Sequence, residues 1–231
     1  MKNSTLRVAI LLCGLVFWAM PAAAETRPVV VELFTSQGCS SCPPADALLG
    51  ELARRSGVVA LGFHISYWDR LGWKDPLSLP SSTERQKTYA RRLSGGQVYT
   101  PQLVVDGVSE MVGSDRGAVM AALRAAKPEA IAPVSFATDR RSVAIGPGEG
   151  NGEIVLLRFV QHRSTQIAAG ENAGRAADDS NGVLEQTTLG RWTGAAQHLA
   201  IEPPGAGEGL AVLIQSPDGH MLGAAMVLGS G

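Results

Sequence analysis

The chain has 231 residues, 45% of them hydrophobic, and its 20 basic and 21 acidic side chains leave a net charge of −1. That balance, with no long block of either sign, excludes the clustered Lys and Arg that nucleic acid or an anionic membrane surface requires. Three cysteines are too few for a multi-bridge scaffold.

Residues 1–24 read as a secretory signal. Lys2 and Arg7 give the positive start, Val8 to Met20 the apolar run, and Ala22-Ala23-Ala24 the small-residue cleavage site. The apolar run falls short of the roughly 18 residues of a spanning helix, so no membrane span is expected after cleavage. Cys13 follows Leu11-Leu12 and is not placed for lipid attachment. Cleavage leaves Cys39 and Cys42, and an oxidising compartment outside the cytoplasm, periplasmic or secreted, lets that pair close.

Two domains are expected, over residues 28–128 and 131–231. In the first, Val29 to Thr35 is a short apolar run typical of a strand buried on both faces of a parallel sheet. Gly38-Cys39-Ser40-Ser41-Cys42-Pro43-Pro44 then turns into a helix with Ala45, Leu48, Leu49, Leu52 and Ala53 on one face. Arg54-Arg55 and Gly57 mark its end. Val58 to Ser66 is a second strand, parallel to the first through a right-handed crossover. After a polar and aromatic loop, Tyr67 to Leu79, Ser81-Ser82-Thr83-Glu84 resembles a capping box opening a second helix. Thr100 to Gly107 reads as a strand closed by Asp106-Gly107, with Val108 to Val112 returning as a hairpin. Ser114 caps a third helix ending at Lys127-Pro128. The order is β-α-β-α-β-β-α. From Ile131 onward short apolar runs (133–137, 153–161, 210–216, 221–228) alternate with Gly- and Pro-rich breaks, as in a smaller all-β sandwich.

The spacing Cys39-Ser40-Ser41-Cys42 serves zinc, copper and redox chemistry alike. Its position between a strand and a helix start narrows the choice, because unpaired N–H groups and the positive macrodipole end favour a thiolate there. Cys39 is expected to face solvent and attack, and Cys42 to lie shielded and resolve the mixed disulfide. Both thiols entombed beyond reach of any reactant, in every state the fold can adopt, would remove the catalytic reading.

The cysteine turn followed by Thr100-Pro101 ahead of a strand resembles the thioredoxin superfamily over roughly residues 28–127. The resemblance implies a thioredoxin-like α/β domain, a cis peptide before Pro101 facing the cysteines, and Thr100 as a docking edge for substrate peptide. More closely, 30–46, 63–76, 99–107 and Gly170-Glu171-Asn172-Ala173-Gly174-Arg175 resemble a bacterial secreted family with such a domain and no assigned function. Gly38 stands where familiar thioredoxins carry an aromatic residue, and Ser40-Ser41 supply hydroxyls without charge.

Four further features have competing readings. Trp68 and Trp73 form either a substrate platform or packing filler, and beside them Asp69 and Lys74 could tune the thiol equilibrium. His64 is either a hydrogen-bonded core residue or an acid–base or metal partner. Segment 170–175 is either a structural loop with backbone-demanding glycines or a binding loop. The expected activity is thiol–disulfide exchange without a cofactor or bound metal. Its partners would be protein thiols or disulfides and an envelope electron-donor protein. The rivals are copper handling by Cys39, Cys42 and His64, and a noncatalytic binding module with an inert disulfide.

Overall fold

The structure, a computed structural model, describes residues 26–229; the expected signal segment 1–24 lies outside them. Strand β1 (Val29–Thr35) is buried at every position, as its apolar run, interrupted only by Glu32, leads one to expect. Helix α1 (Pro43–Ala53) carries it to β2 (Val58–His64), parallel to β1 with Val29 opposite Val58. Helix α2 (Pro80–Leu93), the hairpin β3 (Gln102–Val105) and β4 (Ser109–Val112), and α3 (Arg116–Ala125) follow.

The period-2 alternation of β1 assigns the layers. Val29, Val31 and Leu33 meet Leu48, Leu49 and Leu52 of α1 and Val119 of α3. Val30 and Phe34 point to the opposite face, with Phe63 and Tyr89 of α2. Full burial of each such aliphatic or aromatic side chain contributes about 1.5–3 kcal/mol. Glu32 falls on this second face with no exposure. Its charge is met by Arg85 Nε at 2.5 Å and by the Tyr89 hydroxyl.

The C-terminal half contains β5 (Val134–Phe136), β6 (Ser142–Ile145), β7 (Gly152–Gln166), β8 (Ala176–Trp192), β9 (Gln197–Ala200), β10 (Glu208–Gln215) and β11 (Met221–Leu228). The expectation of a self-contained sandwich needs correction. Strands β7, β8, β10 and β11 extend the first sheet into one of eight strands, in the order β11-β10-β7-β8-β2-β1-β3-β4. Only β5, β6 and β9 form a second, antiparallel sheet. It covers one face of the long strands around Ile154, Trp192, Val212 and Leu222, while Val155, Leu157 and Leu213 on the other face join Phe63 and Tyr89. The molecule is thus a mixed α/β fold whose main sheet crosses the midpoint of the chain.

The junction is β8 against β2. Gly182 pairs in parallel with Gly62, and Asn181 Nδ2 donates to the Ala60 carbonyl at 2.9 Å. Strand β8 begins Ala-Ala-Asp-Asp-Ser-Asn-Gly, residues depleted in strands. Pairing along β7 overrides that propensity.

Two helix starts also differ from expectation. Helix α2 begins at Pro80, where a missing N–H costs little, and no side chain caps it. The Thr83 hydroxyl instead accepts from the Ser66 N–H at 2.9 Å. Helix α3 is capped by Asp115, not Ser114, through the Ala118 N–H at 3.0 Å. Among the described residues no helix is long and apolar enough to cross a membrane.

Candidate functional site

The end of β1 delivers Ser36 to Cys42 to the start of α1. Cys39 and Cys42 form a disulfide with Cα atoms 5.4 Å apart. The turn is tied by Cys39 N–H to the Ser36 carbonyl (3.1 Å) and Cys42 N–H to the Cys39 carbonyl (3.2 Å). The Thr100–Pro101 peptide is cis, and it brings the Thr100 hydroxyl to 3.3 Å from Cys39 Sγ as a donor. The Ser41 hydroxyl lies 3.3 Å from the same sulfur and 3.4 Å from the Thr100 carbonyl, to which it donates.

Two expectations for the sulfurs are corrected. Cys39 does not face solvent: both cysteines have 0% exposure. Nor does the helix start offer the sulfur free N–H groups. Pro43 and Pro44 have none, and those of Ala45 and Asp46 both donate to the Cys42 carbonyl. Beyond the macrodipole, the polar partners of the Cys39 sulfur are the two hydroxyls.

The loop after β2 frames the turn from both sides. Trp68 Nε1 donates to the Thr100 hydroxyl at 2.9 Å, and Trp73 Nε1 donates to Gln37 Oε1 at 3.1 Å. Both tryptophans are half-buried. Asp69 is spent within this loop, accepting from the Asp75 N–H and the Ser78 hydroxyl, so it steadies the loop one step away from the sulfurs. Lys74 is exposed and has no bond to the cysteine turn among the described residues.

Beneath the turn lies a polar cluster that the sequence did not reveal. His64 Nδ1 is 2.7 Å from Asp75 Oδ2, and its Nε2 is 3.6 Å from Asp179 Oδ1. Asp75 also accepts from the Gln37 N–H at 2.8 Å, and Asp179 from Gln37 Nε2 at 2.7 Å. Burial alone would lower the His64 pKa, but the charges of Asp75, Asp179 and Asp46 outweigh it and raise the value to about 9. The imidazole therefore holds its proton at neutral pH, with both nitrogens facing carboxylates. Burial raises Asp46 to about 7 even though the Thr35 hydroxyl donates to it at 2.7 Å. Asp179 is likewise raised, chiefly by burial, whereas the charge of His64 and its hydrogen bond hold Asp75 low against the burial penalty.

Segment 170–175 is the tip of the β7–β8 hairpin, and it lies on the cysteine turn. Asn172, 2% exposed, donates through Nδ2 to the carbonyls of Gln37 and Cys39, both at 2.9 Å. Glu171 accepts from the Ser40 N–H at 3.3 Å. Of the residues singled out from sequence, the structure thus gathers Cys39, Cys42, Thr100, Pro101, Trp68 and Trp73. It sets His64 one layer below and leaves Asp69 and Lys74 outside. It adds Gln37, Asp46, Asp75, Asp179 and Asn172.

These features define a mixed α/β protein with a disulfide seated between a buried strand and a helix start, under a hairpin from its own C-terminal half. The chain belongs to the protein family of unknown function DUF1223, whose family model matches residues 30–215. An X-ray crystal structure of a protein from Agrobacterium tumefaciens is similar, with a TM-score of 0.77 and 34% identity over 90% of this chain and 97% of that one. HBP35 of Porphyromonas gingivalis is similar in fold alone, with a TM-score of 0.58 and 14% identity over 90% of this chain and 76% of that one. No functionally curated protein matches the chain.

Proposed function

We propose that this protein is an exported thioredoxin-like thiol–disulfide oxidoreductase of the bacterial cell envelope that acts through Cys39 and Cys42 without an organic cofactor. One observation carries the reading. The disulfide sits at the strand-to-helix junction with the Thr100 hydroxyl 3.3 Å from Cys39 Sγ, so a donor is already aimed at the sulfur that would bear charge. Such preorganised donors stabilise a developing anion without reorganisation.

In the oxidised form, a substrate thiolate attacks Cys39 and Cys42 departs as a thiolate. A second substrate thiol then displaces Cys39. The substrate leaves as a disulfide, and both cysteines hold the two electrons it lost. The reverse sequence reduces a substrate disulfide and requires an envelope electron-donor protein to restore the dithiol. Trp68 and Trp73 bracket the turn as an apolar contact for the substrate chain.

The test is a Cys42→Ser variant incubated with envelope extract. Mixed disulfides through Cys39 are expected, and they should vanish in a Cys39→Ser/Cys42→Ser double variant. Failure to trap any partner under conditions that unfold neither protein would overturn the reading. The complete burial of both cysteines favours a second reading, a noncatalytic binding module whose disulfide is inert. Under that reading Cys39→Ser and Cys42→Ser leave partner binding unchanged.

A further inference from the structure

We propose that the β7–β8 hairpin tip, residues 167–175, is a gate over the Cys39–Cys42 disulfide, with Asn172 as its latch. The proposal rests on the oxidoreductase reading for its purpose, but its geometry stands independently. Neither sulfur is exposed, so no thiolate reaches Cys39 while the surroundings stay as they are. The tip comes from a distant part of the chain, and its inward bonds to the turn are few. They are the two from Asn172 Nδ2 to the carbonyls of Gln37 and Cys39 and the longer one from Ser40 N–H to Glu171. A net contribution near 1 kcal/mol per neutral hydrogen bond makes such a latch breakable without unfolding the sheet.

Three features let the tip move as a unit. It closes on itself through Ile167 N–H to the Arg175 carbonyl (2.9 Å) and Gly174 N–H to the Ile167 carbonyl (2.8 Å), so its own bonds survive displacement. Gly170 and Gly174 flank the latch at φ +76° and +81°, backbone states that only glycine adopts readily. Beside the tip, against Pro43, Asp46 and Ala47 of α1, is a solvent-open cleft of about 240 Å³, so the tip is not packed on every side. The remaining wall is loop 67–74, which meets the tip where Gly72 faces Gly170 and where Trp73 lies beside Gly170. Opening the tip therefore uncovers the turn on the side of Trp73, where an incoming chain would contact that ring.

The gate is tested by the kinetics of reduction of the oxidised protein with dithiothreitol, read by alkylation of the released thiols and mass. One dithiothreitol thiolate attacks the disulfide and expels a cysteine thiolate. Its second thiol closes the ring and frees the other cysteine, so two electrons pass to the pair. A gated disulfide gives a rate that levels off as dithiothreitol is raised, because opening becomes limiting. Asn172→Asp keeps the side-chain size but removes the donor. It is expected to raise the plateau rate about tenfold to thirtyfold, the effect of losing two buried hydrogen bonds. A wild-type rate linear in dithiothreitol up to that of the urea-unfolded chain overturns the gate, and this arm needs no variant to fold. A plateau that Asn172→Asp and Asn172→Ala both leave unmoved overturns Asn172 as the latch. These rates do not depend on any protein substrate. A gate that passes here while Cys42→Ser traps no partner separates failure of the enzyme reading from failure of the gate.

Discussion

Raising the pH through the alkaline range should destabilise the oxidised protein, and the size of the effect follows from His64. Its pKa is raised from 6.5 to about 9 in the fold, while in the unfolded chain it returns to about 6.5. A raised folded value means the native state holds the proton more tightly. The stabilisation is then fully present below about pH 6.5 and is lost as pH rises through about 9. At 1.36 kcal/mol per pKa unit, the buried ion pairs with Asp75 and Asp179 contribute about 3 kcal/mol at neutral pH relative to pH 10. Unfolding free energies from urea titrations between pH 6 and pH 10 should fall by that amount, with no change in m-value. Asp75→Asn removes the closest counter-charge and should flatten the curve above pH 7 while lowering stability at pH 6. Asp46, raised to about 7, adds to the fall at the low end of this range: its contribution is present below about pH 3.8 and lost as pH rises through about 7. An NMR titration of the His64 ring is the direct control. Titration near pH 6.5, or a stability profile level from pH 6.5 to 9.5, would refute the buried-cation account.

Other substitutions report on separate parts of the molecule. Arg85→Met leaves the Glu32 carboxylate without its cation under Phe63 and Tyr89, and should cost about 3–5 kcal/mol in urea unfolding. A loss below about 1 kcal/mol would refute the buried Glu32–Arg85 ion pair as a stabilising contact. Gly170→Ala forces a methyl group to within 3.1 Å of Trp73 Cβ at φ +76°. It should destabilise the native state by about 1–2 kcal/mol, seen as faster amide exchange at residues 170–174 and a matching fall in the free energy of urea unfolding. Thr100→Val deletes the hydroxyl donor to Cys39 Sγ and should slow iodoacetamide alkylation of the reduced protein at pH 7 by up to about tenfold, measured by mass.

What the sequence disclosed was what local chemistry alone determines. The largely apolar run 29–35, the cysteine turn and the Asp106-Gly107 hairpin appear at their expected places, because each is written in consecutive residues. Strand β8 was illegible because its Asp, Asn and Gly residues oppose strand propensity, and only β7 and β2 hold them extended. The aspartates around His64 come from positions 46, 75 and 179, so no spacing rule could group them. Asn172 carried a faint signal, a polar residue set between Gly170 and Gly174, but its target lies more than 130 residues earlier in the chain. The exposure of Cys39 was misjudged for a related reason: its sulfur sits against Thr100, a residue distant in the chain.

The most direct test of the central claim is the reduction potential of Cys39–Cys42, obtained by equilibrating the purified protein with dithiothreitol or glutathione buffers and quantifying the thiols. A pair that exchanges electrons with other proteins should lie above about −300 mV. A potential well below about −300 mV, the range of structural disulfides, would mark the bond as a staple and contradict the proposed activity.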